Sequence, residues 1–219
     1  MPTLKNFSIP GAAGNLEGVM HLPDASPRAV AVVAHPLPTK GGTMENKVVT
    51  TLAKTFAEMG FVALRFNFRG VGASAGGYDQ GNGEVEDAIA VARYGMREYG
   101  SSKYDPGENH PSESDRLPLI LAGFSFGGYV QARAAQSLHP QRLVLVAPAV
   151  GRFAMPAVPS DTLLIHGDQD DVVPLDEVKN WARPLDLPIV VVPDTGHLFH
   201  GRLNDLKEIV RQNFIEHPI

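Results

Sequence analysis

Gly123-Phe124-Ser125-Phe126-Gly127 is the stretch of this chain best suited to chemistry. It follows the apolar run Leu119-Ile120-Leu121-Ala122 and leads into an amphipathic segment. That pattern predicts a buried strand, a sharp turn and a helix, with Ser125 at the apex. Such a turn strains its serine and lifts the hydroxyl clear of the sheet. Glycines two before and two after are needed, because a Cβ there would clash as strand and helix pass closely. Ser125 would also sit at a helix N-terminus, where unpaired N–H groups and the macrodipole favour negative charge. The competing reading is an ordinary turn in a chain with 22 glycines, and a motif this short is decided by context. A nucleophilic serine requires a base, an acid to orient it, and donors for an oxyanion.

The chain must therefore supply elements that carry those partners to one place. Its 219 residues suit a single domain, 1–219, burying on the order of 70% of its unfolded surface. The absence of cysteine excludes disulfides, thiolate metal sites and a Cys nucleophile. A mild net charge of −5, mixed along the chain, gives no basic stripe for nucleic acid and no polybasic membrane patch. The N-terminal residues lack the apolar core of a signal peptide, and no apolar run reaches membrane-span length. The expectation is a soluble, cytoplasmic protein without nucleic-acid or membrane partners; nothing in the sequence speaks to oligomeric state.

Residues 3–9 and 15–22 read as a strand pair around Pro10 to Gly14. Ala29 to Ala34 is apolar on both faces, as in a covered parallel sheet. Thr43 can cap a helix carrying Val48, Leu52, Phe56 and Met59, which Gly60 terminates. Phe61 to Phe66 reads as a strand. A glycine-rich loop, 69–83, precedes a helix with a stripe of Val85, Ala88, Ile89, Ala92 and Met96. Its acidic first turn (Glu84, Glu86, Asp87) and later Arg93 and Arg97 suit the helix dipole. The polar stretch 100–116 reads as an exposed loop without chemistry. Arg142 to Ala147, Thr162 to His166 and Ile189 to Val192 are strands, Leu175 to Trp181 is a brief helix, and a last helix spans about 201–215. Alternating strands and helices predict an α/β fold with a mainly parallel sheet, whose ligands bind beyond the carboxyl ends of the strands.

Polar residues just after strands are thus the candidates: His35-Pro36-Leu37-Pro38, Arg69 to Gly72, Ser125, Gly167 to Pro174, and Asp194 to His200. Gly70-Val71-Gly72-Ala73-Ser74-Ala75 loosely fits a dinucleotide fingerprint. A further loop follows it where a helix should open directly, so the fit is rejected.

Serine, acid and histidine occur in the chain order of an α/β-hydrolase. The chain resembles the small lidless bacterial serine hydrolases related to dienelactone hydrolases. The likeness extends over nearly its whole length. It is carried by His35-Pro36, by residues 41–47 from Gly41 to Lys47, by residues 65–74 from Arg65 to Ser74, by the elbow, and by His166-Gly167-Asp168-Gln169-Asp170. The resemblance implies an α/β-hydrolase fold, with a mostly parallel sheet of about eight strands, helices on both faces and no cap domain. Only Pro148 to Ser160 separates two strands where a lid would sit. In such families the acid is the aspartate of Gly-x-x-Asp-x-x-Val, which places it at Asp170, with Asp168 and Asp171 left as turn residues or caps.

His197 would take the Ser125 proton, and Asp170 would hold its tautomer; His200 is the rival base. The first oxyanion donor is the Phe126 N–H, after the nucleophile. Between Pro36 and Pro38, which lack N–H groups, Leu37 alone can supply the second. His35 and His166 read as structural histidines and Arg69 as a pin between loops. His35, His197 and His200 lack metal-ligand spacing, and neither metal nor cofactor is expected. The expected activity is cleavage of small carboxylic esters or thioesters through an acyl-enzyme on Ser125. Peptidase, amidase or perhydrolase chemistry on the same residues, and a non-catalytic ligand-binding homologue, stand as alternatives.

Overall fold

A computed structural model describes residues 2–100 and 116–219. The strands are β1 Thr3–Gly11, β2 Gly14–Leu22, β3 Ala29–Ala34, β4 Phe61–Phe66, β5 Leu119–Phe124, β6 Arg142–Val146, β7 Leu163–Gly167 and β8 Ile189–Val192. The helices are α1 Lys47–Glu58, α2 Asn82–Tyr99, α3 Phe126–Leu138, α4 Leu175–Ala182 and α5 Leu203–Glu216. One eight-stranded sheet runs β1-β2-β4-β3-β5-β6-β7-β8. The first two pairings, β1 with β2 and β2 with β4, are antiparallel, and all others are parallel.

Every residue of β3 and β4 is buried, because the period-two alternation feeds a core on each face. Val30, Val32 and Ala34 join the core under α2, α3 and α4. Ala29, Ala31 and Val33 join the core under α1 and α5. In that second core the rings of Phe56, Phe61 and Phe214 lie 5.7–6.1 Å apart and lock α1 to α5. The order reverses at β3, which has β4 on one side and β5 on the other. The loops leaving β3 and β5 therefore diverge around a crevice, the usual ligand position in such sheets. No helix among the described residues is long and apolar enough to cross a membrane.

Two local expectations are corrected. The cap of α1 is Asn46, whose Oδ1 accepts from Val48 N (2.9 Å), while Thr43 Oγ1 accepts from Glu45 N (3.2 Å). A turn closed by Asn46 N to Thr43 O delays the helix by one turn, because the Met44 N–H is taken by Asn67 Oδ1 (2.8 Å). In α2 the buried stripe is Ala88, Val91, Ala92 and Gly95, whereas Val85, Ile89 and Met96 are only half-buried. The helix is rotated because Glu84 and Asp87 turn inward, both 0% exposed. Glu84 accepts from the N–H groups of Asp79 and Gly81 (2.8 and 2.7 Å), and Asp87 is gripped by Arg69. Of the polar stretch 100–116, residues 101–115 lie outside the described residues.

The glycines of the elbow answer to close contact. A Cβ on Gly123 would strike the Gly127 carbonyl, and one on Gly127 would strike the carbonyls of Ala34 and His35 at the end of β3. Backbone cannot yield as a flexible side chain can. Gly127→Ala is therefore expected to lower unfolding stability by about 2 kcal/mol or more. Gly77→Ala, where the added carbon meets nothing within 4 Å, is the control and should stay within about 0.5 kcal/mol. Urea unfolding of the two variants decides it; equal midpoints would remove the packing argument.

Candidate active site

Ser125 has φ 54° and ψ −117°, a conformation few non-glycine residues adopt. Its surroundings leave it no alternative. Its N–H donates to Val146 O of β6 (2.9 Å), and its carbonyl accepts from Gly128 N, Tyr129 N and Ala149 N (2.9, 3.3 and 3.2 Å). The hydroxyl is thereby aimed away from the sheet toward the loop after β8. There His197 Nε2 lies 3.0 Å from Ser125 Oγ, and His197 Nδ1 lies 2.7 Å from Asp170 Oδ2. The three groups named from sequence meet in one hydrogen-bonded relay.

Asp170 enters from the turn after β7. Its Oδ1 accepts from Val172 N and Val173 N (2.9 and 2.8 Å), so its side chain, fully buried, is oriented by its own turn. Burial alone would push this carboxyl upward. Bonds from His197 and Val173 outweigh that and hold it below the ordinary carboxylate range. The flanking carboxylates have other work: Asp168 Oδ1 accepts from Thr195 N (3.3 Å), tying the acid turn to the histidine loop, and Asp171 is exposed. His200 is exposed too. The histidine loop is anchored instead by Phe199, fully buried at φ 53° among the side chains under α5. An aromatic side chain at positive φ persists only where packing over-determines it. No periodicity in the sequence signals that anchor.

Leu37 and Phe126 line the same cavity as Ser125. Phe126 opens α3, so its N–H has no carbonyl one turn back to bond. In the Leu37 loop the N–H groups of Lys40 and Gly42 bond the Leu37 carbonyl (3.1 and 3.0 Å). His35 braces that loop. Its Nε2 accepts from Phe68 N (3.1 Å), which puts the proton on Nδ1, and Nδ1 donates to Pro36 O (2.7 Å). Both ring nitrogens are thus committed, as expected of a structural histidine. Arg69 pins the glycine-rich loop to α2: its N–H, Nε and Nη2 all reach the Asp87 carboxylate within 2.8–3.2 Å. That loop delivers Tyr78 to the Phe126 ring, 5.9 Å between centroids.

The cavity holds about 260 Å³. Beyond Ser125, Leu37 and Phe126, its wall comes from the connection after β6 (Ala149 to Phe153) and from Val172, Val173 and Glu177. Val172 and Val173 fall in the stretch Gly167 to Pro174 picked out from the sequence, whereas no sequence pattern pointed to Ala149 to Phe153 or Glu177. Of the aromatics in and around the elbow and the histidine loop, Phe126 lines the cavity. Phe124 and Phe199 fill the core, and Tyr129 stacks on Phe153 at 4.8 Å.

Residues 25–160 match the family described as "Serine aminopeptidase, S33", a hydrolase family. The chain belongs to this family. The α/β-hydrolase is similar to XC6422 of Xanthomonas campestris, described as an α/β serine hydrolase without lid. The two are 38% identical, with TM-score 0.85 over 99% of this chain and 96% of that one. An α/β serine hydrolase homologue from Coxiella burnetii is 40% identical, with TM-score 0.80 over 97% and 98%. Est1E from Butyrivibrio proteoclasticus, 17% identical with TM-score 0.73 over 96% and 98%, shares the fold. The expected small lidless α/β-hydrolase fold is borne out.

The buried histidine of the Leu37 loop has a consequence for stability. Burial pushes His35 down from 6.5 to about 4, with its bond to Pro36 opposing weakly. Unfolded, the imidazole takes its proton near pH 6.5; folded, it does so only near 4. Between those values the unfolded chain binds more protons, so unfolding free energy falls as pH falls, by up to about 1.4 kcal/mol per pH unit for this one group. Urea midpoints taken from pH 7 to 4.5 should decline accordingly. A flat profile down to pH 5 would show that His35 is not held neutral.

Proposed function

We propose that this α/β-hydrolase cleaves carboxylic ester or thioester bonds of small acyl substrates through an acyl-enzyme on Ser125. The relay Ser125–His197–Asp170 at the mouth of a small cavity carries the reading. His197 takes the hydroxyl proton as Ser125 Oγ attacks the carbonyl carbon, and Asp170 stabilises the imidazolium that forms. The N–H groups of Leu37 and Phe126 receive the oxyanion. Collapse expels the alcohol or thiol, protonated by His197, and a water activated by the same imidazole releases the acid. A cavity of about 260 Å³ sits just below the usual range for small-molecule sites, so short acyl chains fit and long ones protrude. The family description favours a second reading, amide cleavage of aminoacyl substrates on the same residues.

Purified protein should turn over p-nitrophenyl acetate and butyrate with higher kcat/KM than the laurate, and should label with a fluorophosphonate. Ser125→Ala should lose labelling and at least about 10³-fold in kcat. Undiminished turnover in that variant would end the proposal, and a preference for aminoacyl amides would move it to the second reading.

The oxyanion assignment has a test of its own. Leu37 already has φ −54°, within the range proline imposes. Leu37→Pro thus removes one N–H with little change of backbone and should lower kcat by about 10²–10³-fold. A variant with wild-type kcat would exclude the Leu37 N–H as a donor.

A further inference from the structure

His166 is the one buried titratable side chain beside the relay that the chemistry above leaves without a part. It is 0% exposed and lies at the end of β7, four residues before Asp170. Its Nε2 lies 2.9 Å from Val173 O and 3.4 Å from Asp170 Oδ2, with both side chains fully buried. A carbonyl only accepts, so Nε2 carries the proton. That single N–H points at Val173 O and grazes the oxygen that His197 also uses. The other nitrogen, Nδ1, is buried with no hydrogen-bond partner among the described residues. An unpaired buried acceptor is a cost that an apolar side chain of similar shape would avoid, so packing alone does not account for a histidine here.

Asp170 is consequently held by three hydrogen bonds, with the N–H edge of His166 in contact beside them. Val172 N and Val173 N donate to Oδ1 and His197 Nδ1 bonds Oδ2, while His166 Nε2, its N–H bonded to Val173 O, stands 3.4 Å from Oδ2. His166 also bonds the carbonyl of Val173, the residue whose N–H orients the carboxylate, so it fixes the acid turn from both ends. Among the described residues, Asp170 and His197 are the titratable groups acting on His166, and His197 and His166 those acting on Asp170. Burial keeps His166 itself neutral, its pKa lowered below the ordinary value.

We propose that His166 is a positioning residue that sets how strongly Asp170 draws the proton of His197, by holding its polar N–H edge beside Oδ2 and bracing the Val173 carbonyl. The inference rests on the relay reading of Ser125, Asp170 and His197. An N–H dipole beside Oδ2 offsets part of the carboxylate charge; without it, His197 meets more of that charge and the imidazolium is held more tightly. A braced carboxylate also keeps the imidazole in line with the Ser125 hydroxyl, and small misplacements of such groups are costly.

Two amide substitutions separate donor from packing. In His166→Gln the amide reaches the place of Nε2 and restores the donor. In His166→Asn it reaches only toward Nδ1, and the donor is lost. Both bury a polar amide, so melting temperatures matched between them remove folding as a cause. The His197 protonation midpoint, followed by NMR, should rise by about 0.5–1 unit in His166→Asn and stay at the wild-type value in His166→Gln. The acid limb of the kcat–pH profile should follow, with plateau kcat about 10-fold lower in His166→Asn and KM unchanged, since His166 does not line the cavity. An unmoved or lowered midpoint in His166→Asn, or equal impairment in both variants, overturns the proposal. The NMR titration needs no turnover. Failure of the ester-hydrolase reading would show instead as turnover surviving Ser125→Ala.

Discussion

The site depends on one backbone conformation that an isolated chain would avoid. Holding Ser125 at φ 54° costs on the order of 1–3 kcal/mol, and four backbone hydrogen bonds to its N–H and carbonyl hold it there. Two of them reach outside the elbow, to Val146 at the end of β6 and Ala149 just beyond. The strained residue is thus coupled to the neighbouring strand and to the cavity wall. The elbow is also squeezed from the other side, where Gly127 meets the carbonyls leaving β3. Strand β3, the elbow and the connection after β6 therefore behave as one unit, and the hydroxyl has its direction before any substrate arrives. Such preorganisation lets donors act on a developing charge without reorganising first.

Around that unit, polar side chains fasten the loops at the carboxyl end of the sheet, with Phe199 adding an apolar anchor for the histidine loop. His35 ties Pro36 to Phe68, Arg69 and Asp87 tie the glycine-rich loop to α2, and Asp168 ties the acid turn to the histidine loop. Further from the site, Arg65 bonds His21 and the Met44 carbonyl, and Asn67 joins Met44 to Glu17. Loops carry peptide groups that need partners when buried, and hydrogen bonds specify direction where apolar contact does not. Two of the stretches that carried the family resemblance, 41–47 and 65–74, therefore read as fastening. Their charged and amide residues hold loops together and stay clear of the cavity.

Strands β3, β4 and β8 were legible to the residue, because a run of four to six residues, apolar throughout or with Arg65 alone interrupting it, between glycine, proline or polar neighbours is too short for a helix and too apolar for a loop. The elbow was legible for a similar reason: its glycines, its serine and the flanking strand and helix all ask for the same turn. What the sequence hid was decided between elements distant in the chain. Asn46 caps α1 in place of Thr43 because Asn67, beyond the end of β4, claims the amide of Met44. The face of α2 is rotated because Arg69 draws Asp87 inward, so two carboxylates lie where a periodic pattern expects apolar side chains. Phe199 reads as one more aromatic near a histidine until the loop around it places the ring under α5. The cavity wall was hidden most fully, since residues 149–153 and Glu177 share neither period nor motif.

The side chains of Asp170, His197 and Ser125 also differ in how far they stand from water, and that difference follows from the fold. The Asp170 side chain is fully buried and fully bonded, whereas the His197 side chain retains 9% of its surface and Ser125 lines the cavity. In the dry interior the attraction between carboxylate and imidazolium is stronger than it would be in water, while the hydroxyl at the outer end stays reachable. A lid would extend the dry region over Ser125. The short connection between β6 and β7 cannot, so the cavity opens directly to solvent beside the nucleophile. Hydrolysis of an acyl-enzyme needs that arrangement, because its second step requires water at the place where its first requires substrate. Burial of only the inner half of the relay is compatible with both demands of the proposed chemistry.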